Sequence, residues 1–283
     1  MFLQHLFLLE KYVIYRLLLR SAIESAVLSQ VAGDRMKTAS VVFVVFLASI
    51  PAARAQATDS TTFGSKNTFS PFVEYSNDSS HIVLGRSENR KFVALGLQYE
   101  HRLLSNHTLD LRYAAEFRPL ILESDPTGII TEIQTSPAPT MIFAGTPQAV
   151  SLCVPAQRSF SFVDPTTGVL FAGTVQTTCS RRWTYAQGLS PFGTRINLFP
   201  HRRLQPTGSL LAGYMLSAKR IPIDTAGSFN FTFEIGAGLE YFFSHSRSMR
   251  FEYQVQHFSN ANTADTNPGV DSGLFKLSYT FGR

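Results

Sequence analysis

Apolar and polar side chains alternate with a period of two along much of the chain after residue 56. No convincing helical period and no internal repeat interrupts that pattern. The clearest stretch is "FNFTFEIGAGLEYFF". Phe229, Phe231, Phe233, Ile235, Ala237, Leu239, Tyr241 and Phe243 share one face there, while Asn230, Thr232, Glu234 and Glu240 share the other. "TLDLRYAAEF" sets Leu109, Leu111, Tyr113 and Phe117 against Asp110, Arg112 and Glu116, and "FVALGLQYE" sets Val93, Leu95, Leu97 and Tyr99 against Gln98 and Glu100. Fainter versions occur at "FSPFVEYS", "GTRINLF", "SLLAGYML", "MRFEYQVQHFS" and "SGLFKLSYTF". Together these predict eight β-strands, most of them near the ~9–11 residues that cross a bilayer.

The links between strands fall into two kinds. "LLSNHT", "PHRRLQP" and "SHSRS" are brief and lie at one end. "NDSSHIVLGRSENRK", the span from about Arg118 to Gln187, "AKRIPIDTAGS" and "NANTADTNPGVD" are long and lie at the other. Short turns at one end and long loops at the other are the layout of an all-β, eight-stranded antiparallel outer-membrane barrel with one long external loop, residues 118–187. So long a loop calls for structure of its own. "RSFSFVDPTTGVLFAGTV" predicts a hairpin inside it, turning at Pro165 and Gly168. Cys153 and Cys179, the chain's two cysteines, flank that hairpin and read as a disulfide.

Alternation leaves open which face points outward, because a soluble lipocalin-type carrier also has eight strands with its apolar face turned in. The amino terminus favours the membrane version. Met36 and Lys37 begin a short basic region, "VVFVVFLASI" is too short to span a bilayer as a helix, and Ala53-Arg54-Ala55 fits a small-x-small cleavage site. Residues 36–55 therefore read as a signal peptide, 1–35 as an upstream extension and 56–283 as the barrel. Composition agrees, with 12% aromatic and 16% charged residues, the latter below the ~25% of ordinary soluble domains. The net charge of +5 does not point to nucleic acid. Six Lys/Arg and three Asp/Glu fall in the first 55 residues, leaving 19 basic against 17 acidic side chains beyond them.

Candidate chemistry lies at the carboxy-terminal end. In "RFEYQVQHFSN" the outward parity of Phe251, Tyr253 and Val255 continues to His257 and Ser259. In the last strand Asp271 shares a face with Gly273, Phe275 and Leu277. All three polar groups are thus expected on the lipid-facing side, at the long-loop end, where the membrane meets water. A serine hydroxyl needs a base in reach to become a nucleophile, and a carboxylate beside the imidazole orients it. Residues i and i+2 lie about 6–7 Å apart on one face, which His and Ser side chains can bridge.

His257, Ser259, Asn260 and Ala261, followed by Asn267, Gly269, Asp271 and Ser272, resemble the H-x-S-N-A and N-x-G-x-E-S segments of the lipid A 3-O-deacylase (PagL-type) family. The resemblance implies an eight-stranded outer-membrane esterase that removes a 3-hydroxyacyl chain from lipid A. It implies Ser259 as nucleophile, His257 as base and Asp271 in the place of the family's glutamate. Asn260 would assist the oxyanion, and Asn267 and Gly269 would shape the loop. Asp is one methylene shorter than Glu, so its reach to His257 is the point on which the assignment turns.

Arg181 and Arg182, beside Trp183 and Tyr185, are candidate contacts for lipid A phosphates. No G-x-S-x-G, H-E-x-x-H or Walker loop is present, and no metal or organic cofactor is implied. The partner expected is lipopolysaccharide in the outer leaflet. The rival readings are a catalytically silent barrel with a disulfide-stapled binding loop and the lipocalin-like carrier.

Overall fold

Eight strands close into a ring. The computed structural model describes residues 62–76 and 79–282, so the expected upstream extension and signal peptide lie outside the described residues. The ring consists of β1 (Asn67–Ser76), β2 (Lys91–Ser105), β3 (Leu109–Ser136), β7 (Leu170–Leu198), β8 (Leu204–Ser217), β9 (Phe229–Ser244), β10 (Arg247–Ser259) and β11 (Val270–Gly282). Each pairs antiparallel with the next, and β1 returns to β11 to seal the barrel. Each of the eight predicted segments falls on one of these strands, and no helix occurs among the described residues.

The barrel is apolar outside and polar within. Phe231, Phe233, Leu239, Phe251, Tyr253, Phe275, Leu277 and Tyr279 are exposed on its outer face. Inside, Arg118 pairs with Glu74 at 2.9 Å, Glu116 at 2.8 Å and Glu234 at 2.5 Å, and Lys276 bridges Glu74 and Glu116. The carboxylates of Glu74, Glu116 and Glu234 converge, and these two cations occupy the space among them. A second cluster links Arg250 and Arg195 to Glu100 and Glu252 at 2.8–3.1 Å. Unpaired, such charges would be very costly away from water, so the lumen is a plug of matched ions. A soluble carrier needs the reverse arrangement, with an apolar interior.

The segment expected as a loop, 118–187, departs from that expectation. Residues 118–136 continue β3, and 170–187 belong to β7. The two strands pair from Leu109↔Leu198 to Ser136↔Ala172, with register shifts near Ala114, Pro119 and Thr135. β2 leaves β3 at Ser124, and β8 meets β7 only from Ala186. Beyond those points the hairpin projects from the ring. β4 (Met141–Ala144) and β5 (Gln148–Ala149) flank it on one side and β6 (Ala156–Val163) on the other. The projection has no lipid on one face and no lumen on the other, so nothing demands clean alternation there. That is why "ESDPTGII", within the span expected as a loop, lies in a strand without a clear period of two. The expected inner hairpin is β6 and the start of β7, joined through Pro165 and Gly168, the latter at φ +68°. Cys153 is bonded to Cys179 across 26 residues.

Candidate active site

His257 lies two residues from the end of β10, and its register partner on β11 is Asp271. Residues directly opposite in an antiparallel pair have Cβ atoms about 4.5–5.5 Å apart, so the shorter carboxylate suffices. His257 Nδ1 and Asp271 Oδ1 are 2.6 Å apart, a distance for a charge-assisted Nδ1–H donating to the carboxylate. That bond directs Nε2 away from Asp271. Ser259, the last residue of β10, is half-buried on the same outward face, beside Phe231 of β9. Its Oγ makes no hydrogen bond among the described residues.

Asp271 has the outward parity expected, but it does not face lipid. Its side chain is fully buried. The link between β1 and β2 crosses it, and Oδ2 accepts four successive backbone N–H groups. They come from Ile82 at 3.1 Å, Val83 at 2.5 Å, Leu84 at 2.9 Å and Gly85 at 2.8 Å. These main-chain donors carry no signature of residue type, so reasoning from sequence missed them.

The loop from 260 to 269 is self-braced. Asn260 is buried; its backbone N–H donates to Asn267 Oδ1, its Nδ2 to the Thr266 carbonyl, and its Oδ1 accepts from Asn262 N–H. Ala261 and Asn262 adopt φ of +52° and +63°, a conformation this bracing holds. Asn260 and Asn267 therefore bond to each other and to the loop, as the loop-shaping role expects of Asn267, while the Asn260 amide is held by the Thr266 carbonyl and the Asn262 N–H. Gly269, at φ +61°, packs on the imidazole: a Cβ there would lie 3.1 Å from His257 Cε1 and 3.7 Å from Nε2.

Arg181 and Arg182, expected as phosphate contacts, are bonded within the protein. Arg181 donates to Ser124 Oγ, Asn89 Oδ1 and the carbonyls of Asn89 and Ser124. Arg182 pairs with Asp224 and Asp125 and donates to the Arg220 carbonyl. Both guanidinium groups are engaged by the protein and tie the projecting hairpin to the neighbouring loops. Arg90, not singled out from sequence, does the same from a buried position, donating to the Ser151, Val150 and Pro222 carbonyls. The signal for it was weak: one arginine just ahead of a strand.

An apolar outer belt, an ionic lumen and a closed ring of eight antiparallel strands define an integral outer-membrane β-barrel. Within that class, residues 160–280 match the family model of lipid A 3-O-deacylase (PagL), a stretch that contains His257, Ser259 and Asp271. Among curated proteins none matches the sequence. Among solved structures the chain is similar to Neisserial surface protein A (NspA), at 9% identity and a TM-score of 0.40, over 77% of this chain and 97% of that one. It is also similar to the outer membrane protein OprG from Pseudomonas aeruginosa (8%, TM-score 0.36, 79% and 98%) and to Ail of Yersinia pestis (12%, 0.33, 76% and 97%).

Proposed function

We propose that the protein is an outer-membrane serine esterase that removes a 3-O-linked 3-hydroxyacyl chain from lipid A through an acyl-enzyme. The observation that carries this is the 2.6 Å bond between His257 Nδ1 and a buried Asp271, with Ser259 following on the same outward face. A solvated surface pair would need no buried carboxylate braced by four amides. Ser259 Oγ attacks the ester carbonyl while its proton passes to His257 Nε2, and Asp271 stabilises the imidazolium. The tetrahedral intermediate collapses, the sugar 3-oxygen leaves with that proton, and water then releases the hydroxy acid by the reverse sequence of proton transfers. Substrate approaches laterally, because the site opens on the outer wall and the lumen is filled by paired charges.

Mass spectrometry of lipid A from cells expressing the wild type and Ser259→Ala tests the reading. Loss of one hydroxyacyl mass in the wild type, absent in the variant, is expected. An unchanged profile with folded protein in the outer membrane would refute it.

One observation favours a second reading, a silent barrel that binds through its projection. Ile142, Phe143, Phe162 and Val163 are exposed there, beyond the ring. Deleting 137–169 would abolish binding in that case, and Ser259→Ala would leave lipid A unchanged.

A further inference from the structure

The link over Asp271 is stitched to β11 on both sides. Ser79 bridges Ser272, and Ser87 bridges Val270. Ser80 N–H donates to the Asp271 carbonyl at 3.2 Å, Arg86 N–H to Pro268 at 2.8 Å, and Ser87 N–H to Gly269 at 3.2 Å. His81 closes the turn from within: Nδ1 lies 2.6 Å from the Gly85 carbonyl and Nε2 2.5 Å from Glu88. The span between these anchors puts its main chain, not its side chains, against the carboxylate, since Ile82, Val83 and Leu84 are 43%, 63% and 72% exposed. Closure at the far end depends on one residue. A Cβ on Gly85 would stand 2.4 Å from Asp271 N, 2.8 Å from the Val270 carbonyl carbon and 2.9 Å from Asp271 Cγ. Those are backbone atoms of a paired strand and the root of a held carboxylate, and none can yield cheaply.

We propose that Ile82–Gly85 is a backbone cradle that fixes the orientation of Asp271, that its dimensions fit an aspartate, and that Gly85 is the positioning residue that lets it close. The four amides sit 2.5–3.1 Å from Oδ2. A glutamate would carry its oxygens about one C–C bond, ~1.5 Å, further into that space, with no gap to receive them. Restoring the family's acid here therefore weakens the site, opposite to what the motif alone suggests. The kinetic part of this proposal rests on the esterase reading; the geometric part does not.

The test uses full-length protein in detergent, with 3-O-acylated lipid A in mixed micelles as substrate. A second readout is the low-field ¹H signal of the proton between His257 Nδ1 and Asp271. Gly85→Ala is expected to lower kcat at least tenfold with KM within twofold, and to shift or broaden that signal; Asp271→Glu is expected to lower kcat at least threefold. A positioning role moves kcat and the proton signal, whereas a merely structural one moves only thermal stability. Wild-type kcat and an unmoved signal in Gly85→Ala would overturn the proposal, as would an Asp271→Glu enzyme as fast as the wild type. If Gly85→Ala does not fold, Asp271→Glu decides by the same criterion. If the wild type turns over no lipid A, the esterase reading fails, and the signal alone judges the cradle: disturbed by Gly85→Ala it stands, undisturbed it falls.

Discussion

Replacing Asp271 by Asn keeps the shape of the side chain and changes only what it can donate and accept. Two orientations of the amide are available. With its NH2 toward the cradle, four N–H groups lose their acceptor, each at about 1–3 kcal/mol, so at least ~4 kcal/mol opposes that choice. With its oxygen toward the cradle those bonds survive, and the NH2 faces His257 Nδ1 instead. His257 must then accept at Nδ1 and carry its proton on Nε2, the nitrogen that in the proposed mechanism takes a proton from Ser259. The second orientation wins on the count of hydrogen bonds, so the imidazole is held in the wrong tautomer. An equivalent change in a well-studied serine triad lowers kcat by about 10⁴, or ~5.4 kcal/mol of barrier. The assay is the initial rate of hydroxy-acid release from lipid A by purified, folded Asp271→Asn. A ¹⁵N spectrum of His257 should show protonation at Nε2. A variant within tenfold of the wild-type rate would refute the reasoning, as would an Nδ1–H tautomer.

Other expectations follow from neighbouring geometry. Gly269→Ala places a methyl 3.1 Å from His257 Cε1 at a backbone φ of +61°. It should cost about 1–2 kcal/mol of local stability and lower kcat at least tenfold, measured by thermal melting and turnover. Arg118→Ala leaves Glu74, Glu116 and Glu234 without their shared guanidinium. A loss of about 3–5 kcal/mol is expected in urea unfolding from detergent, with the turnover of the remaining folded protein unchanged. Cys153→Ser opens a 26-residue loop worth about 3.5 kcal/mol on the chain-entropy model. Trypsin should then cut at Arg158 faster while the ring stays intact on a heat-modifiability gel.

The period-two pattern was enough to find all eight ring strands, because a wall between lipid and an ionic lumen imposes opposite chemistries on alternate residues. The same parity put His257, Ser259 and Asp271 on one outward face. It failed for 118–136 and 170–187, where the strands leave both lipid and lumen and alternation loses its physical cause. Nor does it reach the partners of Arg181 and Arg182, since which carbonyl a cation meets depends on which loops pack beside it. The burial of Asp271 lay beyond any reading of side chains. Its partners are the main-chain amides of residues 82–85, almost 190 positions away, and every residue but proline carries such an amide. Sequence determined which groups can do chemistry and which face they share. Only tertiary pairing decided the rest: the β10–β11 register sets Asp271 opposite His257, within reach of it, and the closing of β1 on β11 decides which backbone lies across the acid.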